Sequence, residues 1–408
     1  MDGSRPKRET PHPSELGGEK GNGAEVSQDT AGVHSDSTSG IHEYRAKRFT
    51  TQRAIALICR SDAVASGIKY PSDRYRVIGC AWCRIGEVSV MQSIEHDRAH
   101  YKGLQTCGSV WMCPLCASKI EERRRADIVK VFGWADSENL DSSLHTNTFS
   151  HGQGDDLHDL FERQAAAFKL YRTSRTYRAE MKRICYIGMI RCLEVTHGIN
   201  GFHPHTHEVQ FHRERLTDND ANLLRNTLVS PWMEACKKVG LFKTGDDEIA
   251  FYRRALDVRP HFTAGDYLAK QDDSKAWTPS HEIAKSSSKL GRRAGVHPFQ
   301  LATRGNPGDP ALFIEYARAT KGKRKLMFSP GLKAKAGLQD VSDEELAAAD
   351  VESARLIANL PPMIWDFVKR TDRHHNTRAA LLDAAEKNGK DGIAALLYEL
   401  GFDPSTEN

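Results

Sequence analysis

The chain has 408 residues, with 58 Lys and Arg against 54 Asp and Glu and a formal net charge of +4. That length suffices for two or three small domains, or for one large core with tails. No apolar run approaches the roughly 18 residues that a membrane span needs, and the first residues are polar, so neither a signal peptide nor a membrane partner is read. The expectation is a cytoplasmic protein, in which nine cysteines read as metal ligands or buried thiols before disulfides.

Residues 1–43 carry few large apolar side chains and no periodicity, which predicts a disordered tail. Residues 44–135 read as a helical and cysteine-rich region, opening on a basic helix from Glu43 to Asp62. Cys80-x-x-Cys83, a lone Cys107 and Cys113-Pro-x-Cys116 follow. Each C-x-x-C turn offers two thiolates to one tetrahedral ion, so Cys80, Cys83, Cys113 and Cys116 are the simplest structural zinc set. Cys107 is a substitute or a spectator, and His96 and His100 are weaker candidates. In the helix after the knuckle, Arg123 and Arg124 are candidate phosphate contacts; the plain alternative is a solvated helix face.

Residues 136–275 alternate in type. Strands are predicted over Leu144–Phe149, Ile184–Thr196, the histidine-rich stretch after it, and Phe251–Val258. Helices are predicted over Asp155–Met181 and Leu216–Val239. The order β-α-β-β-α-β predicts an α+β domain of the ferredoxin-like, split βαβ kind, an antiparallel sheet with both helices on one side and the other face open. An Asn200-Gly201 type I′ turn would pair Ile199 with Phe202, Thr196 with His205 and Glu194 with His207. Side chains alternate along a strand, so Glu194, Thr196, His203, His205 and His207 share one face, a divalent-metal site in outline. The bland alternative is a surface hairpin that holds nothing. The opposite face carries Pro204, Thr206, Glu208 and Gln210, polar for a core, and a bulge between His207 and Val209 would reconcile this.

A short helix is predicted over Thr263–Gln271, with Tyr267 and Lys270 neighbours on its surface. A phenol is a weak nucleophile unless a base takes its proton or a cation stabilises its anion, and Lys270 can do the latter. A core tyrosine is the plain reading. Residues 276–340 form a basic extension in which Lys285, Lys289, Arg292, Arg293, Lys323 and Arg324 suit a phosphate backbone. Residues 341–408 turn acidic and helical, from a capping-box start at Ser342 to a helical pair joined at Asn388-Gly389. A packing unit is the reading preferred there over a partner-binding tail.

With these pieces placed, the sequence resembles the replication initiators of rolling-circle plasmids, members of the HUH endonuclease superfamily. C-G-S-V-W-M-C-P-L-C-A-S-K-I-E-E-R-R-R resembles the family's cysteine-containing region, and H-T-N-T-F-S-H-G-Q-G-D-D-L its first strand motif. E-V-T-H-G-I-N-G-F-H-P-H-T-H resembles the metal motif, with His205 and His207 as its histidines. D-V-R-P followed by Y-L-A-K resembles the nucleophile motif, with Tyr267 as the tyrosine. P-F-Q-L-A-T-R-G and K-R-K-L-M-F-S-P-G-L resemble the downstream basic region. Two departures stand out: Thr206 where the family carries a bulky apolar residue, and Thr263 where some relatives carry a second catalytic glutamate.

The resemblance implies metal-dependent transesterification of single-stranded DNA at a plasmid origin. Mg²⁺ or Mn²⁺ would sit on His205 and His207 with Glu194 as third ligand. Tyr267 would form a 5′-phosphotyrosyl link and free a 3′-OH primer, with Lys270 assisting, and strands would later be rejoined. The implied partners are single- and double-stranded origin DNA, a host helicase and replication proteins, with homo-oligomerisation left open. No G-x-x-x-x-G-K-[ST] motif is present, so unwinding is assigned to the separate helicase. Two alternatives stand beside this: a single-strand transposase or relaxase of the same superfamily, and a non-catalytic zinc-containing DNA-binding regulator. The regulator leaves the histidine face and the tyrosine helix without purpose.

Overall fold

A long helix, α1 (Ser35–Ala65), leads into two antiparallel sheets. The computed structural model describes residues 35–242, 245, 247–266, 295–349 and 353–403, and the packing discussed below lies within the unit His42–Asn408. The tail expected over residues 1–43 lies outside the described residues as far as residue 34; its end belongs to α1, which starts eight residues before Glu43. In chain order there follow β1 (Arg84–Ser93), β2 (Ala99–Leu104), α2 (Pro114–Ser137), β3 (Asp141–Asn147), α3 (Leu157–Thr173), α4 (Arg175–Arg183), β4 (Tyr186–Gly198), β5 (Gly201–His212) and α5 (Asp218–Lys238). Then come α6 (Glu248–Arg254), β6 (Leu256–Pro260), α7 (Asp309–Ala319), β7 (Leu326–Phe328), α8 (Asp343–Ala348), β8 (Ala354–Leu360), α9 (Pro362–His375) and α10 (Thr377–Glu399).

The smaller sheet has the order β2-β1-β8. Strand β8 comes from the far end of the chain and pairs with β1, Val90 opposite Ala358. Val88 and Val90 therefore pack with Trp365, Leu381 and Leu382 of α9 and α10 in one core. A buried ion pair, Arg378 on Asp372 at 3.0 Å, braces that core. Arg378 also donates to the carbonyl of Ala81 and to Gln52, each at 3.1 Å.

The larger sheet has the order β6-β3-β5-β4-β7, with every pairing antiparallel. One face is covered by α3 and α5, whose Phe168, Leu224, Leu228 and Trp232 form the core beneath it. The polar residues of β5 do lie on this covered face, and pairing runs unbroken past residues 207–209, so there is no bulge. Partners on α3 meet two of them: Gln164 donates to Thr206 at 3.1 Å, and Arg172 bonds Glu208. A paired charge and a hydrogen-bonded hydroxyl remove most of the desolvation cost that bare burial would impose.

The opposite face was expected to be open, and half of it is not. Helix α2 lays Ile128, Val131 and Phe132 over Leu144, Ile190, Val209 and Phe211. Each fully buried apolar side chain there contributes roughly 1.5–3 kcal/mol. Only the histidine end of that face stays half-exposed.

Two boundaries differ from the sequence reading. The helix expected over Asp155–Met181 breaks at Ser174, whose hydroxyl accepts from the amide of Tyr177 and starts α4. The strand expected over Phe251–Val258 begins at Leu256, because Asp247 caps a helical turn that takes Phe251 into the core first.

Candidate metal centres

The hairpin closes differently from the expected type I′ turn. Gly198 faces Gly201 across it, so Ile199 and Asn200 are the loop residues. Gly201, and not Asn200, takes the left-handed conformation, at φ +82°. A turn of this kind needs positive φ only at its glycine, a milder demand than type I′ makes on two residues. A Cβ on Gly201 would also come within 3.2 Å of the Gly152 carbonyl oxygen. Register slides by two residues, an even number, so the shared face survives. Glu194 now lies opposite His205, and Cys192 opposite His207.

On that face Glu194 Oε2 lies 3.1 Å from His205 Nε2 and 3.4 Å from His207 Nε2. The second nitrogens are engaged elsewhere. His207 Nδ1 meets the Thr146 hydroxyl at 3.0 Å, and His205 Nδ1 lies 3.4 Å from the His203 carbonyl. A carbonyl only accepts, so Nδ1 of His205 donates to it, and Nε2 is the nitrogen aimed at Glu194. Three ligand atoms within 4.8 Å of one another repel unless a proton or a cation sits among them. Two imidazoles and a carboxylate fit a divalent transition-metal ion. Burial alone would raise the Glu194 pKa, but the hydrogen bonds and charge of His205 and His207 hold it well below the usual carboxylate range.

The surroundings are built from elements distant in sequence. His151 stacks on His203 with Nδ1 atoms 3.2 Å apart, and burial with these neighbours pushes His203 down to about 3. Lys325 pairs with Glu121 of α2 at 2.6 Å. His297 is pushed down to about 4 by burial and by the Lys325 charge. Its Nδ1 accepts from the Phe299 amide at 3.2 Å, so it keeps no second lone pair for a metal.

The second group is Cys80, Cys107, Cys113 and Cys116, all buried, with ligand atoms within 4.8 Å of one another. The C-x-x-C spacing points to Cys83 rather than Cys107. Here Cys83 is exposed and outside the group, because β1 and β2 pair Arg84 with Leu104 and return the chain so that Cys107 reaches the other thiols. Sulfur separations of 3.5 Å (Cys80 to Cys116), 3.6 Å (Cys107 to Cys116) and 3.6 Å (Cys113 to Cys80) are far from a disulfide's ~2.05 Å. They approach the ~3.8 Å edge of a tetrahedron with Zn–S near 2.3 Å. Hydrogen bonds from the other three lower the pKa of Cys116 strongly, while burial raises that of Cys113. A bound metal ion would stabilise the thiolate form that burial alone disfavours.

The remaining predicted residues divide three ways. Tyr267, Lys270, Lys285, Lys289, Arg292 and Arg293 lie outside the described residues. Just before them, Thr263 and Asp266 cap each other, Asp266 Oδ2 accepting from the Thr263 amide at 2.9 Å and hydroxyl at 2.7 Å. Arg123 and Arg124, expected on DNA, are engaged by the segment around α8. Arg123 bonds the Leu346 carbonyl, and Arg124 pairs with Asp343 at 2.8 Å. Lys323 reaches Glu162 at 2.8 Å, and Arg324 is exposed. Thr146 and His151 escaped the sequence reading although both lie in the quoted strand motif, since only the pairing of β3 with β5 brings Thr146 opposite His207.

Among the described residues no helix is long and apolar enough to cross a membrane. No protein-family model and no solved structure matches the chain. A protein described as "Neomycin resistance protein" from Streptomyces cyanogenus is 30% identical over 133 residues, 26% of this chain and 30% of that protein. "Protein rep" from Streptomyces lividans is 30% identical over 359 residues, covering 71% of this chain and 76% of that protein. Likeness sustained over most of both chains is more than a shared motif can give, and the chain therefore belongs to the Rep family of plasmid replication initiators.

Proposed function

We propose that the chain nicks one strand of a plasmid origin by metal-dependent transesterification, as an HUH-type endonuclease. The observation that carries this reading is the convergence of Glu194, His205 and His207 on one half-exposed sheet face. The order β6-β3-β5-β4, with α3 and α5 on one side, supports a ferredoxin-like sheet beneath it. Glu194, His205 and His207 would hold Mg²⁺ or Mn²⁺, and two nitrogen donors favour Mn²⁺. Bound there by these three side chains, a divalent ion would polarise the scissile phosphate and stabilise charge on its oxygens.

Tyr267 supplies the nucleophile. Its oxygen gives up a proton to solvent and bonds to phosphorus, while the bond from phosphorus to the 3′ oxygen breaks. That oxygen takes up a proton and leaves as the 3′-OH primer. Lys270 stabilises the phenolate. The protein–DNA bond conserves the phosphodiester, so the reverse reaction rejoins strands without nucleotide hydrolysis. Cys80, Cys107, Cys113 and Cys116 hold a structural zinc, and Lys285, Lys289, Arg292, Arg293, Lys323 and Arg324 contact DNA. The setting is cytoplasmic, with a host helicase and replication proteins as partners.

A labelled single-stranded origin oligonucleotide, incubated with the protein and Mn²⁺, should give a covalent adduct on a denaturing gel. Tyr267→Phe should abolish it. Glu194→Ala should slow it by more than the about 10–100-fold that loss of an outer-shell partner costs. No adduct with any origin-derived oligonucleotide would favour the non-catalytic zinc-containing regulator. An adduct that survives Tyr267→Phe would move the nucleophile elsewhere.

A further inference from the structure

A cleft of about 1320 Å³ lies between the loop at residues 107–112 and residues 317–345. One side carries Cys107 of the four-cysteine group. Strand β7 also lines it, and its Leu326 pairs with Cys192, the residue facing His207. Cys107 thus borders the cleft, and β4, the strand that carries Glu194, runs beside its β7 wall.

Its cations sort by what already holds them. Arg318 pairs with Asp62 at 2.7 Å, Lys323 with Glu162 at 2.8 Å and Lys333 with Asp340 at 2.8 Å. Arg76, Lys321 and Arg324 are exposed cleft residues with no ion pair among the described residues. Arg76 donates only to the Thr106 carbonyl, at 3.2 Å. Eight Lys and Arg side chains line the cleft against the four acids Asp340, Asp343, Glu344 and Glu345. Asp340 holds Lys333 and also feels the Arg324 charge, and Asp343 holds Arg124, so cations remain in excess.

The aromatic side chains decide what form of nucleic acid fits. Single strands are gripped by exposed rings on which bases stack. Here Tyr75 and Trp111 are each only 6% exposed. The ring of Trp111 faces Lys325, and that of Phe328 faces Lys333. Free cations without free rings match a surface that offers dense charge and hides its bases, which is a duplex backbone.

We propose that this cleft seats the phosphate backbone of double-stranded DNA beside the nicking site, through Arg76, Lys321 and Arg324. The proposal rests on the reading of the chain as an origin-nicking protein and assigns the duplex that flanks the nick. Each phosphate contact contributes about −0.9 to the slope of log affinity against log salt concentration. The zinc-loaded full chain, titrated by fluorescence anisotropy against a labelled duplex of random sequence, gives that slope. The triple variant Arg76→Gln, Lys321→Gln, Arg324→Gln should flatten it by about 2.7, with circular dichroism and zinc content unchanged. A second variant with only Lys321→Gln and Arg324→Gln should flatten it by about 1.8. An unchanged slope would overturn the proposal, as would an equal change on a single-stranded oligonucleotide. If the wild-type chain forms the tyrosyl adduct while the duplex slope ignores the variants, the cleft is wrong and the nicking reading stands. If the slope flattens but no adduct forms, the reverse holds.

Discussion

The four-cysteine group and the carboxylate–histidine group gather their ligands in opposite ways. The first draws on three separate places: Cys80 ahead of β1, Cys107 beyond β2, and Cys113 with Cys116 at the start of α2. Both ends of the chain then lock it. Gln52 of α1 donates to the carbonyls of Val77 and Cys80, each at 3.0 Å, and Arg378 of α10 holds Ala81. The second takes all three ligands from one hairpin and leaves them half-exposed. A closed, buried tetrahedron suits a structural ion; three ligands with room beside them suit a substrate. On the proposed function, stability falls to one site and chemistry to the other, and each half of that reading can be broken separately.

The largest effect should come from the buried group. Cys107→Ser should remove bound zinc and the cooperative unfolding transition, since structural zinc contributes roughly 10–16 kcal/mol in small zinc domains. Cys83→Ser should change neither. Metal analysis and calorimetry on both variants decide it, and zinc retained in Cys107→Ser but lost in Cys83→Ser would restore the ligand set read from spacing. A smaller effect tests the hairpin. Thr146→Val keeps the shape but removes the partner of His207 Nδ1. It should weaken Mn²⁺ binding about 10–100-fold by titration calorimetry, with zinc content intact. Unaltered Mn²⁺ affinity would mean that the hairpin orients its ligands unaided.

The same contrast explains what could be read in advance. Glu194, His205 and His207 were legible because strand alternation is a local rule that survives a register error of two residues. Cys107 was not, because its place depends on β1 and β2 pairing, and those strands hide in a segment that the cysteines dominate. The polar covered face of β5 looked like a misfit because its partners, Gln164 and Arg172, sit on a helix about forty residues away. Sequence periodicity reports which side faces in; it does not report that a polar side will find polar company. The partners of Arg123 and Arg124 were hidden for the same reason, since the acidic helix that engages them begins more than two hundred residues later.

The smallest effect probes the sheet that carries the hairpin, on the face opposite its ligands. His145 is 1% exposed and pairs across from Glu208. Burial, with the charge of His212 added, pushes its pKa from 6.5 down to about 3. Below pH 6.5 the unfolded chain takes up a proton that the folded chain refuses. Stability therefore falls as the solution is acidified from about 6.5 toward about 3, and this group has no effect above 6.5. One pH unit into that window costs about 1.4 kcal/mol. Urea unfolding at pH 7 and pH 5.5 should show the loss in the wild type and a shallower one in His145→Asn, whatever the variant costs at neutral pH. Acid also protonates thiolates and can release zinc, so zinc content is followed in the same samples. A loss that tracks zinc release and is identical in both proteins would place the acid sensitivity in the cysteine group, whereas a difference at constant zinc places it under the hairpin.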